Sequence, residues 1–224
     1  MSRARACELA RSFIERGDPT GWFEALYAES RGDARAISWA DQVANPHLLA
    51  WLEARAVRGE GRRALVVGCG LGDDAEALSA RGFAVTAFDI SPTAIAWARR
   101  RFPNSAVRYV VADLFHAPEG WARAFDWVVE VYTLQVLPPE LRPAAMRAMA
   151  AFVAEGGQLL VIARGREEQE PRGEMPWPLT RRELDEFVRV GLAEISFEEF
   201  MDQETPPVRR FRALYGRSIR IAAP

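Results

Sequence analysis

Apolar residues along the chain fall into short unbroken runs separated by stretches with helical spacing. Ala64–Val67, Phe83–Phe88, Val107–Val111, Phe125–Val131 and Gln158–Ala163 are rich in valine, leucine and phenylalanine, the signature of strands buried on both faces. Between them lie helical patterns. Ala75, Ala77 and Leu78 follow the first run, and SPTAIAWARRRFP follows the second, with Ser91 as N-cap and Pro92 at the first helical position. Pro138–Val153 follows the fourth run and is expected to stop at Glu155–Gly156–Gly157. Upstream, Ser2–Arg16 reads as an amphipathic helix ended by Gly17–Asp18–Pro19, and a further helix is expected at about His47–Ala56. Downstream, Leu179–Val190 reads as a helix with Thr180 as N-cap, and Ala193–Met201 and Val208–Tyr215 alternate as an antiparallel hairpin does. The pattern predicts an α/β fold: a seven-stranded doubly wound sheet, mostly parallel, with a C-terminal antiparallel hairpin and an N-terminal helical lid. At 224 residues a single domain is expected, with residues 1–58 as the lid segment and 59–217 as the core. The tail Ser218–Pro224 is expected to fray.

The junction after the first strand carries the chemistry. Gly68, Gly70 and Gly72 follow Val67 at alternate positions, and the second strand ends on Asp89, twenty-one positions after Gly68. A nucleotide-binding βαβ unit places a ribose-binding carboxylate at about that distance. A pyrophosphate turn needs a third small residue where its helix opens, and here Asp73 stands, followed by Asp74. Two carboxylates suit the helix dipole and repel a phosphate. A ligand with a cationic end, a ribose and no phosphate fits better.

On these residues the chain resembles the Rossmann-like (class I) S-adenosylmethionine-dependent methyltransferases, over about residues 60–215. The resemblance implies that Gly68, Cys69, Gly70 and Gly72 border the cofactor and that Asp89 takes the ribose hydroxyls. It further implies that Asp113, after the third strand, accepts from the adenine amino group, with Ile90 and Leu114 packing on the ring. Many relatives hold the methionine ammonium with an acidic residue near the end of the first strand. Val66 and Val67 stand there instead, so Asp73, Asp74 and carbonyls around Gly68 are the candidate substitutes. In such enzymes the segment before the first strand often closes over the ligands, which makes Trp22, Trp39 and Asp41 lid candidates; the same aromatics can simply pack a helical layer. The WAD…NP segment, the VYTLQVLPPELR stretch and the PWPLTRREL flap resemble the branch of thiopurine, tellurite and halide methyltransferases. The long loop Arg164–Pro178, broken by three prolines, is expected to be a substrate-side flap.

Charge and composition narrow the acceptor. Twenty-nine basic residues against thirty-one acidic ones give a net charge of −2, with no basic excess for a nucleic acid. The two cysteines, Cys7 and Cys69, form neither a disulfide framework nor a zinc set, and no metal is expected. No apolar run reaches eighteen residues and the N-terminus lacks a signal-peptide core, so a cytoplasmic protein is expected, with no membrane partner. Glu130 and Tyr132, at the tip of the fourth strand, are the candidate catalytic residues, and Glu130 is also a candidate cofactor ligand. His47 and His116 read as capping or surface residues. The expected reaction is methyl transfer from S-adenosylmethionine to a small molecule with a soft nucleophile such as a thiol. Two alternatives stay open: a non-catalytic S-adenosylmethionine-binding module, and a nicotinamide-dependent oxidoreductase. The second lacks the GxGxxG spacing and any Tyr-x-x-x-Lys pair, since the chain contains no lysine.

Overall fold

The computed structural model describes residues 3–219; residues 220–224 of the expected fraying tail, and Ser2 of the first predicted helix, lie outside the described residues. In chain order the helices are α1 (Arg3–Glu15), α2 (Gly21–Glu29), α3 (Pro46–Ala54), α4 (Asp73–Ser79), α5 (Pro92–Arg101), α6 (Arg142–Phe152), α7 (Arg181–Leu184) and α8 (Glu186–Arg189). The strands are β1 (Arg63–Val67), β2 (Ala84–Asp89), β3 (Arg108–Val111), β4 (Phe125–Val131), β5 (Val153–Arg164), β6 (Ala193–Met201) and β7 (Arg209–Gly216). They form one seven-stranded sheet in the order β3-β2-β1-β4-β5-β7-β6. β2 and β4 pair in parallel with β3 and β5, whereas β7 lies antiparallel between β5 and β6. This is the predicted seven-stranded, mostly parallel sheet with a C-terminal antiparallel hairpin.

Most elements fall where the periodicity places them, and three do not. α6 stops at Phe152, and β5 already begins at Val153 rather than at Gln158. The glycines predicted to end the helix instead let the strand kink: a Cβ on Gly157 would stand 2.9 Å from the carbonyl oxygens of Ala154 and Phe125. The β4–β5 register shifts at the same place, between Phe125 and Trp127. At its other end α6 begins at Arg142 rather than Pro138, because Pro139–Leu141 forms a 3₁₀ turn first. The helix predicted over Leu179–Val190 is two short ones. α7 opens with a capping box, Thr180 accepting from the Glu183 N–H while the Glu183 carboxylate accepts from the Thr180 N–H.

The chain divides into two compact units. The first holds α1–α5, β2, β3 and the end of β1, around Trp22, Leu48, Trp51, Leu78, Phe88 and Ile95, all 2% exposed or less. The second holds α6–α8, β4–β7 and the start of β1, around Val128, Met149, Leu160, Phe187 and Tyr215, none more than 1% exposed.

Candidate active site

In the first unit β1 runs into a turn that only glycines can form at its critical positions. Gly70 and Gly72 have φ of 51° and 94°. A Cβ on Gly72 would stand 2.4 Å from the Tyr109 hydroxyl, and one on Gly70 would stand 3.0 Å from the Tyr27 hydroxyl. The turn satisfies its own donors: Cys69 N–H donates to Phe88 O at 2.8 Å, Gly72 N–H to Cys69 O at 2.9 Å and Gly70 N–H to Asp89 Oδ2 at 2.9 Å. Burial, reinforced by the charge of Asp89, pushes the Cys69 thiol well above its usual range, which disfavours the thiolate.

Asp89 ends β2 and is 7% exposed. Its Oδ1 accepts from the Ser91 N–H at 2.9 Å, so each carboxylate oxygen holds one backbone bond and keeps a lone pair. Burial raises its pKa against those two bonds. Asp89 is in register with Val111, the last residue of β3, and Asp113 follows two positions later. The two acids therefore leave adjacent strands at the same end of the sheet. Ile90 is half-buried there, and Leu114 is buried at the start of a 3₁₀ turn.

The two acids opening α4 have protein partners. Arg101 grips Asp73 in a two-pronged pair at 2.6 and 2.7 Å and also donates to Leu71 O at 2.8 Å. Asp74 Oδ1 accepts from the Asn45 N–H at 2.7 Å, and burial pushes its pKa up to about 6. Asp73 thus ties α5, and Asp74 the segment before α3, to the start of α4.

In the N-terminal segment Trp22 is fully buried, stacked on Phe23 at 3.9 Å and edge-on to Trp39 at 6.0 Å. Trp39 is 36% exposed and donates its indole N–H to the Tyr27 hydroxyl at 3.1 Å. Of the three lid candidates, Trp39 alone sits at the turn through a partner; Trp22 is a core residue and Asp41 is exposed. Tyr27 lies in α2 with Trp22 and Phe23, and nothing in its local sequence marks it out. Nothing marks out Glu24 either, yet its carboxylate accepts from Ser91 Oγ at 2.6 Å and from Thr93 Oγ1 and N–H at 2.6 and 3.1 Å.

In the second unit the tip of β4 is equally constrained. Glu130 is fully buried; its Oε1 accepts from Thr133 N–H at 2.6 Å and Leu134 N–H at 2.9 Å, while Oε2 has no partner. Burial pushes its pKa up to about 7, against those two bonds and the charge of Arg142. Tyr132 takes a left-handed φ of 66°, which turns its ring beneath the Arg210 guanidinium, 4.8 Å away. Arg210 is itself buried and held by Asp202 at 2.7 Å and by Glu204. Gln135 fastens the flap, its side chain accepting from Arg164 N–H and its carbonyl from Trp177 N–H, both at 2.7 Å.

Residues 64–157 match the family model described as a methyltransferase domain. The chain is a methyltransferase, similar to the class I S-adenosylmethionine-dependent enzymes. It is 27% identical to the 2-heptyl-1-hydroxyquinolin-4(1H)-one methyltransferase of Mycobacteroides abscessus, over 74% of each chain. It is also 27% identical to thiocyanate methyltransferase 1 of Arabidopsis thaliana, over 69% of this chain and 68% of that one. In fold it is similar to the 1,6-didemethyltoxoflavin-N1-methyltransferase of Burkholderia thailandensis, solved with S-adenosylhomocysteine, at a TM-score of 0.68 and 20% identity over 88% and 87% of the two chains.

The methyltransferase uses S-adenosylmethionine, and its glycine turn fits that cofactor better than a dinucleotide. The N–H groups of Cys69, Gly70 and Gly72 are spent inside the protein, which leaves little to cradle a pyrophosphate. Among the described residues no group of three or more His, Cys, Asp or Glu is placed to hold a metal ion, and no helix is long and apolar enough to cross a membrane.

Proposed function

We propose that this small-molecule methyltransferase acts on a soft or easily ionised nucleophile, with a thiol as the leading candidate. Bound S-adenosylmethionine supplies a methyl group on a sulfonium: the acceptor's lone pair forms the new bond to carbon while the carbon–sulfur pair stays with sulfur. If the acceptor arrives as an anion, charge is neutralised and no proton has to be moved. The chain's task is then alignment and exclusion of water.

The observation that carries this reading is the state of Glu130. Its carboxylate is fully buried and pinned to the N–H groups of Thr133 and Leu134, a poor posture for a base that must meet a substrate proton. Tyr132, the other candidate base, is clamped beneath Arg210. Similarity to a thiocyanate methyltransferase supports a soft anionic acceptor, and similarity to a hydroxyquinolone methyltransferase supports a small one. We assign the ribose hydroxyls to Asp89, the adenine to Asp113, Ile90 and Leu114, and closure over the cofactor to Trp39 with Tyr27. Asp73 and Asp74 act on the cofactor only through the shape of the turn, since Arg101 and Asn45 engage their carboxylates. A net charge of −2 supports an acceptor other than nucleic acid, and two free cysteines support a cytoplasmic setting.

A rate panel over thiols, selenols, halides, phenols and amines tests the reading, repeated with Tyr132→Phe and Glu130→Gln. Thiols and selenols should lead, and both variants should stay within a few-fold of the parent rate, whereas loss of a general base typically costs about 10²–10⁴-fold. Activity confined to amines would refute the soft-nucleophile assignment.

A further inference from the structure

A cavity of about 300 Å³ opens within the second unit, walled by α6, the flap after β5 and helices α7 and α8. That volume is at the small end of the range for ligand sites, about 300–1,000 Å³. Five arginines and three glutamates line it. Two of the glutamates are already engaged: Glu183 by Arg142 at 2.8 Å, by the Thr180 N–H at 2.7 Å and, more loosely, by Arg166 at 3.9 Å, Glu186 by Arg147 and Arg189 at 3.3 and 3.4 Å. The remaining cationic charge is in excess.

Arg142 is the fixed wall. It is 1% exposed, and its guanidinium donates to the carbonyls of Leu134 and Trp177 at 3.1 and 2.8 Å. Arg166 is oriented next to it, its Nη1 donating to the carbonyls of Glu167, Glu168 and Glu170 at 3.1, 3.3 and 2.9 Å. Those contacts set the plane of the guanidinium and leave its Nε buried with no partner. A buried orphan N–H on a cation is costly unless something accepts from it. Arg172, farther along the flap, and Arg182, on α7, face the same cavity without a carboxylate partner among the described residues.

We propose that this cavity is an oxyanion-binding site for a phosphate or carboxylate group, with Arg166 and Arg172 of the flap and Arg182 of α7 as its donors. Planar guanidinium forks from two separate chain segments match the several acceptor oxygens of such a group. A bound oxyanion bridges the flap to α7, so the site orders the segment that Gln135 fastens to the β4 tip. This assignment is independent of which nucleophile is methylated.

The test is calorimetric titration of the full chain with inorganic phosphate, and separately with succinate, against sodium chloride at matched ionic strength. Saturable uptake of phosphate or succinate is expected, and which of the two binds tighter assigns the ligand class. The double variant R172Q/R182Q changes only exposed side chains and should weaken that uptake at least tenfold, with an unchanged far-ultraviolet dichroism spectrum. R35Q, at an exposed arginine outside the cavity, should bind as the parent does. Uptake no greater than the chloride control, or equal affinity in the parent and R172Q/R182Q, would overturn the proposal.

Discussion

The indole N–H of Trp39 donates to the hydroxyl of Tyr27 at 3.1 Å, and that hydroxyl lies 3.0 Å from where a Cβ on Gly70 would stand. A residue in an irregular loop is thereby latched through a helical residue to the middle of the glycine turn. Breaking the latch should loosen cofactor retention more than the fold. A single neutral hydrogen bond contributes about 1 kcal/mol net, so Trp39→Phe is expected to weaken S-adenosylhomocysteine binding by about fivefold. Calorimetry measures the affinity, and a melting curve without ligand should shift by only a few degrees.

Asp89 has two duties, and a substitution there must show both. Its carboxylate holds the N–H groups of Gly70 and Ser91, each at 2.9 Å, before any ligand arrives. Asp89→Ala strands those donors in a buried place, so the ligand-free protein should melt lower. Losing a charge-assisted bond of about 1.5–3 kcal/mol should also weaken S-adenosylhomocysteine by about 10- to 100-fold. Unchanged affinity in a folded variant would exclude Asp89 as the ribose ligand.

Glu130 gives the apo-protein a distinctive pH dependence. Burial raises its pKa from the ordinary 4.5 to about 7 in the folded state. The unfolded chain ionises first, so stability is complete below pH of about 4.5 and falls as pH rises through 7. Asp74, raised to about 6 by burial, acts in the same direction. Glu130→Gln keeps an acceptor for Thr133 and Leu134 and removes the titration. Its urea midpoint should decline less between pH 5 and 8 than that of the parent, by an amount worth on the order of 3 kcal/mol. Identical slopes for the two proteins would rule out the buried, proton-holding state of this carboxylate.

Arg142 is expected to matter for folding out of proportion to its residue type. It joins Leu134, Leu137, Trp177 and Glu183 from a site only 1% exposed. Removing one member of a buried charged pair typically costs about 3–5 kcal/mol, so Arg142→Ala should show a loss of that size in urea unfolding. A loss below about 1 kcal/mol would mean that solvent replaces these contacts freely.

What could be read from the chain was whatever depends on near neighbours. β4 and β6 fall at Phe125–Val131 and Ala193–Met201 as predicted, because an apolar run and an alternating run each specify a strand locally. The Ser91 and Thr180 caps were equally legible, since a hydroxyl and the N–H it serves are three residues apart. Gly156 and Gly157 misled because the residue that ends a helix is also the residue that lets a strand bulge. Long-range partners left no local trace. Nothing near Asp73 announces Arg101, twenty-eight positions on, and nothing near Tyr132 announces Arg210. Arginine ordinarily signals surface, so the burial of Arg142 and Arg210 in a chain whose cations are all arginine was invisible.

Glu24 sits in α2, yet the free N–H and hydroxyl groups that it serves belong to the opening of α5, sixty-seven positions downstream. The helix that follows Asp89 is therefore completed by a different part of the polypeptide. A fragment begun at β1 would carry every cofactor motif and still present α5 with an unfinished first turn, beside the residue meant to hold a ribose. Dissecting the protein at its most obvious sequence boundary would thus blunt the recognition that the excised piece was chosen to preserve.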